Sequence, residues 1–251
     1  MKKMKEYVLN INGFDIHATY SEERIRDIWK PLLTHIRKLH QEKKHRIIVF
    51  LAAPPAVGKS TLVAFLEMLS KEDNKEDIQC IGLDGFHYPQ RYIATHSINR
   101  NGIQVPMKDV KGCPETFDID SIKHKLACMR HEDVYWPIYD RNLHDVVPDQ
   151  IHVHKNIVLI EGNWLLLKDE KWNALSTFCD YSIRISADPN VLKDRLIARK
   201  VRGGLSREEA CVFYEKSEQI NVMRALQDSK KADLCLRLTQ DFDFEKEDSH
   251  E

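Results

Sequence analysis

The 251 residues contain no CxxC pair, no apolar window long enough to cross a bilayer and no excess of either charge. Each absence removes a class of function. The six cysteines, Cys80, Cys113, Cys128, Cys179, Cys211 and Cys235, are scattered, which fits neither a zinc site nor a compact disulfide framework. They read as reduced, mostly structural thiols. The N-terminal stretch MKKMKEYVLNING is basic but lacks an uninterrupted apolar core and a small-residue cleavage site, so the sequence predicts a cytoplasmic protein without a membrane partner. Lys and Arg number 38 against 39 Asp and Glu, giving no overall basic field for a nucleic-acid backbone. There is no internal repeat. His152 and His154 fall on one face of an expected strand, where a polar surface explains them better than a metal.

With 42% apolar residues, the chain can bury a sizeable core, as one large α/β domain or two small ones. Residues 7–20 read as two short strands around Asn12-Gly13, a strong hairpin signal. Ser21 can cap a helix carrying Ile25, Ile28, Trp29, Leu32, Leu33, Ile36 and Leu39 at helical spacing, kinked by Pro31. Together residues 1–45 form an expected appendage. From Arg46 the pattern becomes strand, helix, strand, helix, the mark of a parallel sheet covered on both faces. Strands are expected at 46–52, 78–83, 156–162, 181–186 and 232–238, and helices near 59–70, 119–130, 188–201 and 206–228. Asp188-Pro189 and the box Ser206-x-x-Glu209 start two of these helices. The acidic, aperiodic tail at 240–251 is expected to be disordered.

After the first of these five strands comes Ala53-Pro54-Pro55-Ala56-Val57-Gly58-Lys59-Ser60-Thr61, a Walker A pattern with Ala at its first glycine. Such a turn wraps backbone N–H groups around an anion and presents the next helix's N-terminus to it. Lys59 then serves the β- and γ-phosphates of ATP, and Ser60 ligates Mg²⁺. Glu161, closing the apolar run Ile157–Ile160, occupies the Walker B place and is a second candidate Mg²⁺ ligand. Asp84 ends the second core strand, at the carboxyl edge where open α/β sheets bind ligands, and is the candidate catalytic base.

Several phrases now combine. Asp84-Gly85-Phe86, Lys111-Gly112-Cys113-Pro114-Glu115-Thr116-Phe117-Asp118, Val134-Tyr135 through Tyr139-Asp140, and Ile160-Glu161-Gly162 stand in the order seen in the phosphoribulokinase/uridine kinase superfamily. Within it, the stretch from Arg46 to Leu238 resembles bacterial-type pantothenate kinases and kinases associated with fructose transport. The resemblance implies a P-loop NTPase fold, a three-layer αβα sandwich whose five parallel strands run in the order 2-3-1-4-5. It also implies that Asp84 is the base or acceptor-binding residue and that 193–206 is a lid. Lid residues Arg195, Arg199 and Arg202 share a helical face, and Arg199 and Arg202 are candidates to neutralise phosphate charge.

The expected activity is ATP- and Mg²⁺-dependent phosphorylation of a hydroxyl on a small polar acceptor, a sugar or sugar-like compound. Pantothenate and a nucleoside such as uridine are the alternatives, and a nucleotide-hydrolysing switch is the rival of another class. His87, Tyr88, Tyr139 and Arg141, with Asp84, are the candidate acceptor-binding residues; Trp136 and Asp140 are weaker candidates for the pocket. A homodimer stays open.

Overall fold

A computed structural model describes residues 3–11, 13–72, 76–100 and 102–247. Strands β1 (Met4–Ile11) and β2 (Phe14–Ser21) pair antiparallel down to Ile11 opposite Phe14. That register leaves two residues for the turn; Asn12, half of the expected turn signal, lies outside the described residues. Tyr7, Leu9, Ala18 and Tyr20 alternate onto one buried face, and Phe65 of the helix Lys59–Lys71 stacks on Tyr20 at 4.0 Å and meets Tyr7 edge-on at 4.9 Å.

Ser21 caps the next helix through its side chain, as its sequence position predicts. The helix runs over residues 22–43, and Pro31 is accommodated by a π-helical turn, Ile25–Trp29, just before it. Widening the turn is how this helix meets a residue that cannot donate a backbone hydrogen bond.

The central sheet holds β3 (Ile47–Ala52), β4 (Gln79–Gly82), β9 (Ile157–Gly162), β10 (Tyr181–Ser186) and β11 (Leu234–Leu238), all parallel. Their spatial order, β11-β10-β3-β9-β4, is the 2-3-1-4-5 arrangement that the resemblance implies. Every residue of β3 is buried, because helices cover both faces. Odd-numbered β3 residues face the N-terminal appendage, the P-loop helix Lys59–Lys71 and the helix Pro189–Arg202; even-numbered ones face Ile119–Met129 and the Trp164–Leu167 segment.

Two antiparallel hairpins lie outside the sheet: β5 (Ser97–Arg100) with β6 (Ile103–Pro106), and β7 (Val134–Asp140) with β8 (Asp145–Val153). His152 lies in β8, with His154 just beyond it, and their rings stack at 5.2 Å; among the described residues no group of three His, Cys, Asp or Glu could hold a metal. The tail corrects the expectation of disorder over 240–247. There β12 (Phe244–Lys246) adds antiparallel to β11, and Phe244 buries itself edge-on against Trp29 at 5.6 Å. Two phenylalanines in DFDF supply apolar surface that acidity hides in a composition count. Among the described residues no helix is long and apolar enough to cross a membrane.

One close approach fixes the site's geometry. A Cβ on Gly85 would stand 2.2 Å from the Pro137 carbonyl oxygen, at the register shift in β7, so only glycine lets the turn after β4 touch that strand. Gly85→Ala is expected to cost about 3 kcal/mol and lower the melting temperature by roughly 6–12 °C. An unchanged thermal melt would show that the two backbones separate freely.

Candidate active site

The carboxyl edges of β3, β4 and β9 empty into one cleft of about 780 Å³. Its floor is the P-loop. Ala56 (φ 65°) and Gly58 (φ 101°) are left-handed, which turns the chain sharply between β3 and the helix N-terminus. Pro55, Ala56, Gly58, Lys59, Ser60 and Thr61 line the cavity, whereas Ala53 and Val57 are buried beneath it as scaffold. Lys59 Nζ donates to the Pro54 carbonyl at 3.2 Å and to Asn163 Oδ1 at 2.7 Å. Burial pushes its ammonium pKa down, and the Glu161 and Asp84 carboxylates oppose that shift. A cation held by two neutral oxygens at a helix N-terminus is suited to receive phosphate oxygens.

Ser60 Oγ donates to Glu161 Oε1 at 2.7 Å. Burial pushes the Glu161 carboxyl above its usual range; the Lys59 cation pulls it back and the Asp84 charge adds to the rise. One hydroxyl and one carboxylate, both hard oxygen donors, fit Mg²⁺, which keeps water and substrate phosphate as its remaining ligands.

Asp84 opens the short 3-10 turn Asp84–Phe86 and exposes its carboxylate to the cleft. Beside it, His87 Nδ1 donates to the Asp84 carbonyl at 2.8 Å, because that oxygen can only accept. Burial holds the ring toward its neutral form, so Nε2 is left as an acceptor. Tyr139 and Arg141 also border the cleft.

Other expectations are redirected. Tyr88 is not among the described lining residues: its ring stacks on Tyr92 at 4.5 Å, beside a small separate core of Ile93, Met107 and Cys113. Trp136 is fully buried and donates Nε1–H to the Gly82 carbonyl at 2.8 Å, which makes it a brace for β4. Asp140 borders the cleft but spends Oδ1 on the backbone N–H groups of Asn142 and Leu143. Of the three arginines expected on one lid face, Arg199 and Arg202 line the cleft. Arg195 does not; its guanidinium packs over Phe242 at 4.9 Å.

Five polar lining residues escape motif reading, Asn142 among them. Asn163 follows Ile160-Glu161-Gly162 directly, so its place beside Lys59 was available from the strand end. Lys111 heads the KGCPETFD phrase, yet it enters the cavity and donates to Gln90 Oε1 (2.7 Å), the Tyr139 hydroxyl (2.9 Å) and the His144 carbonyl (3.3 Å). Glu218 and Asn221, beyond the helix Pro189–Arg202, carried no sequence signal. The N-terminal hairpin also contributes, since Ile11, Phe14 and Ile16 at its tip border the same cavity.

No family model matches the chain. The uncharacterized Escherichia coli K12 protein YggC is 41% identical over 235 residues, covering 93% of this chain and 95% of YggC. A Schizosaccharomyces pombe protein provisionally described as a uridine kinase, C227.14, is 30% identical over 191 residues, covering 73% and 78% of the two chains. Among solved structures, a protein of Silicibacter sp. TM1040, provisionally described as a fructose transport system kinase, superposes with a TM-score of 0.70. It is 26% identical and covers 81% of this chain and 98% of its own. Sequence, topology and P-loop geometry agree, and the chain belongs to the phosphoribulokinase/uridine kinase superfamily of P-loop kinases, as an ATP-dependent small-molecule kinase.

Proposed function

We propose that the chain transfers the γ-phosphoryl group of ATP to a hydroxyl of a sugar or polyol. The observation that carries this reading is the exposed Asp84 carboxylate facing the cavity whose floor is the P-loop. The acceptor oxygen forms a bond to the γ-phosphorus as the bond from that phosphorus to the ADP oxygen breaks. The acceptor proton passes to Asp84, which orients the hydroxyl first and receives the proton late in a loose transition state.

Lys59 and the P-loop amides hold the β- and γ-phosphates. Mg²⁺, when bound, supplies charge neutralisation on those phosphates, and Ser60 and Glu161 are the residues that would hold it. His87 Nε2 and Tyr139 suit hydroxyls of the acceptor. Residues 193–206 act as the lid, bringing Arg199 and Arg202 to the charge that develops on the transferred group.

Purified protein with Mg-ATP, offered sugars, polyols, pantothenate and nucleosides in separate reactions, tests the reading through product mass. A phosphorylated sugar or polyol with matching ADP release is expected. Phosphorylation confined to pantothenate or to nucleosides would replace the acceptor class. ATP hydrolysis that no acceptor stimulates would overturn the assignment.

A further inference from the structure

The lid helix Pro189–Arg202 is followed by a second helix over residues 207–227, which widens into a π-helical turn at Tyr214–Glu218. Such turns cost hydrogen-bond geometry and recur at functional sites. This one delivers Glu218 and, three residues on, Asn221 to the wall of the cleft. Glu218 Oε1 accepts from Arg199 Nη2 at 3.3 Å and stands 3.7 Å from Lys200 Nζ. Its Oε2 is buried without a hydrogen-bond partner, and so is Oδ1 of Asn221, a residue only 6% exposed.

Two buried acceptor atoms without donors, on neighbouring residues at a cleft wall, are costly unless a ligand supplies what they lack. Glu218 meanwhile holds Arg199, one of the two lid arginines that line the cavity.

We propose that Glu218 and Asn221 recognise the acceptor through its hydroxyl donors, and that in the absence of acceptor Glu218 engages the Arg199 guanidinium and withholds its charge from the γ-phosphate. The inference rests on the kinase reading above. When acceptor hydroxyls take over the hydrogen bonding of Glu218, its hold on Arg199 weakens and the guanidinium is released toward the phosphates. Acceptor binding thus switches on the charge that phosphoryl transfer needs, and ATP is spared hydrolysis until then. The pair also selects chemistry. Both unpartnered atoms accept, so this end of the acceptor carries at least two hydrogen-bond donors, which the hydroxyl groups of a sugar or polyol supply.

The test uses the full chain and Mg-ATP alone. Glu218→Gln keeps the shape but weakens the hold on Arg199, and acceptor-free ATP hydrolysis is expected to rise about three- to fivefold. In Arg199→Ala the same Glu218 change should produce no rise. Unchanged or slower hydrolysis in folded Glu218→Gln overturns the latch, as does a rise that persists in the Arg199→Ala background. With an acceptor from the screen, Asn221→Ala should raise acceptor KM about tenfold and leave ATP KM within about twofold. Equal changes in both KM values, or none in either, overturn the recognition role. If the screen yields no sugar or polyol product, the acceptor class proposed above fails by itself, and the hydrolysis comparison still decides the latch.

Discussion

Lys59→Ala lowers acceptor-dependent turnover by roughly 10²–10³-fold while the melting temperature stays where it was. The two halves of this result follow from one feature. The Lys59 ammonium lies among the P-loop carbonyl of Pro54, Asn163 and the nearby Glu161 and Asp84 charges, in a place where burial disfavours its charged form. Removing it takes away the cation proposed to meet the β- and γ-phosphates. It also removes a desolvated charge, so the folded state loses little. Steady-state kinetics and a thermal melt of the same preparation check both halves. Near-normal turnover would mean that the phosphates lie elsewhere.

Asp84→Asn preserves size and most hydrogen bonding but removes the carboxylate proposed as the proton acceptor. Acceptor phosphorylation is expected to fall by roughly 10²–10⁴-fold. ATP affinity, set by the P-loop, should change little. The variant also separates three roles for this carboxylate. If Asp84 served as a metal ligand, excess Mg²⁺ would partly restore the rate. If it served only as a turn former, the cost would appear in stability, with near-normal activity in the folded fraction. Full activity of a folded Asp84→Asn protein at ordinary Mg²⁺ would remove it from the chemistry.

Much of the frame was legible because buried parallel strands have a strong signature. Runs such as Ile47–Ala52 and Ile157–Ile160 are apolar without alternation, and each is followed by the residue types that a phosphate site needs. The P-loop, Glu161 and Asp84 come together because they all end parallel strands, so one edge gathers them. Tyr88 and Trp136, expected in the pocket, lie elsewhere for the opposite reason. An aromatic in a motif-rich loop is equally suited to a pocket and to a core, and only packing against Tyr92 or against the Gly82 carbonyl decides between them. Glu218 and Asn221 lie on an amphipathic helix whose π-turn rotates the following residues relative to a regular helix, a shift that spacing alone does not reveal. The hairpin tip was invisible for a topological reason: its approach to the cleft depends on how Tyr7 and Tyr20 seat on Phe65, far away in sequence.

The strand contributed by the tail has a consequence for the order in which the molecule can be completed. The backbone N–H of Ser21 donates to Asp243 Oδ2 at 3.3 Å across 222 positions, close to where Trp29 receives Phe244. On the ribosome, the hairpin and the first helix therefore wait for their last partners until the segment beyond residue 240 has emerged. Closure is correspondingly non-local, and the apolar Trp29 face stays uncovered by Phe244 while synthesis continues.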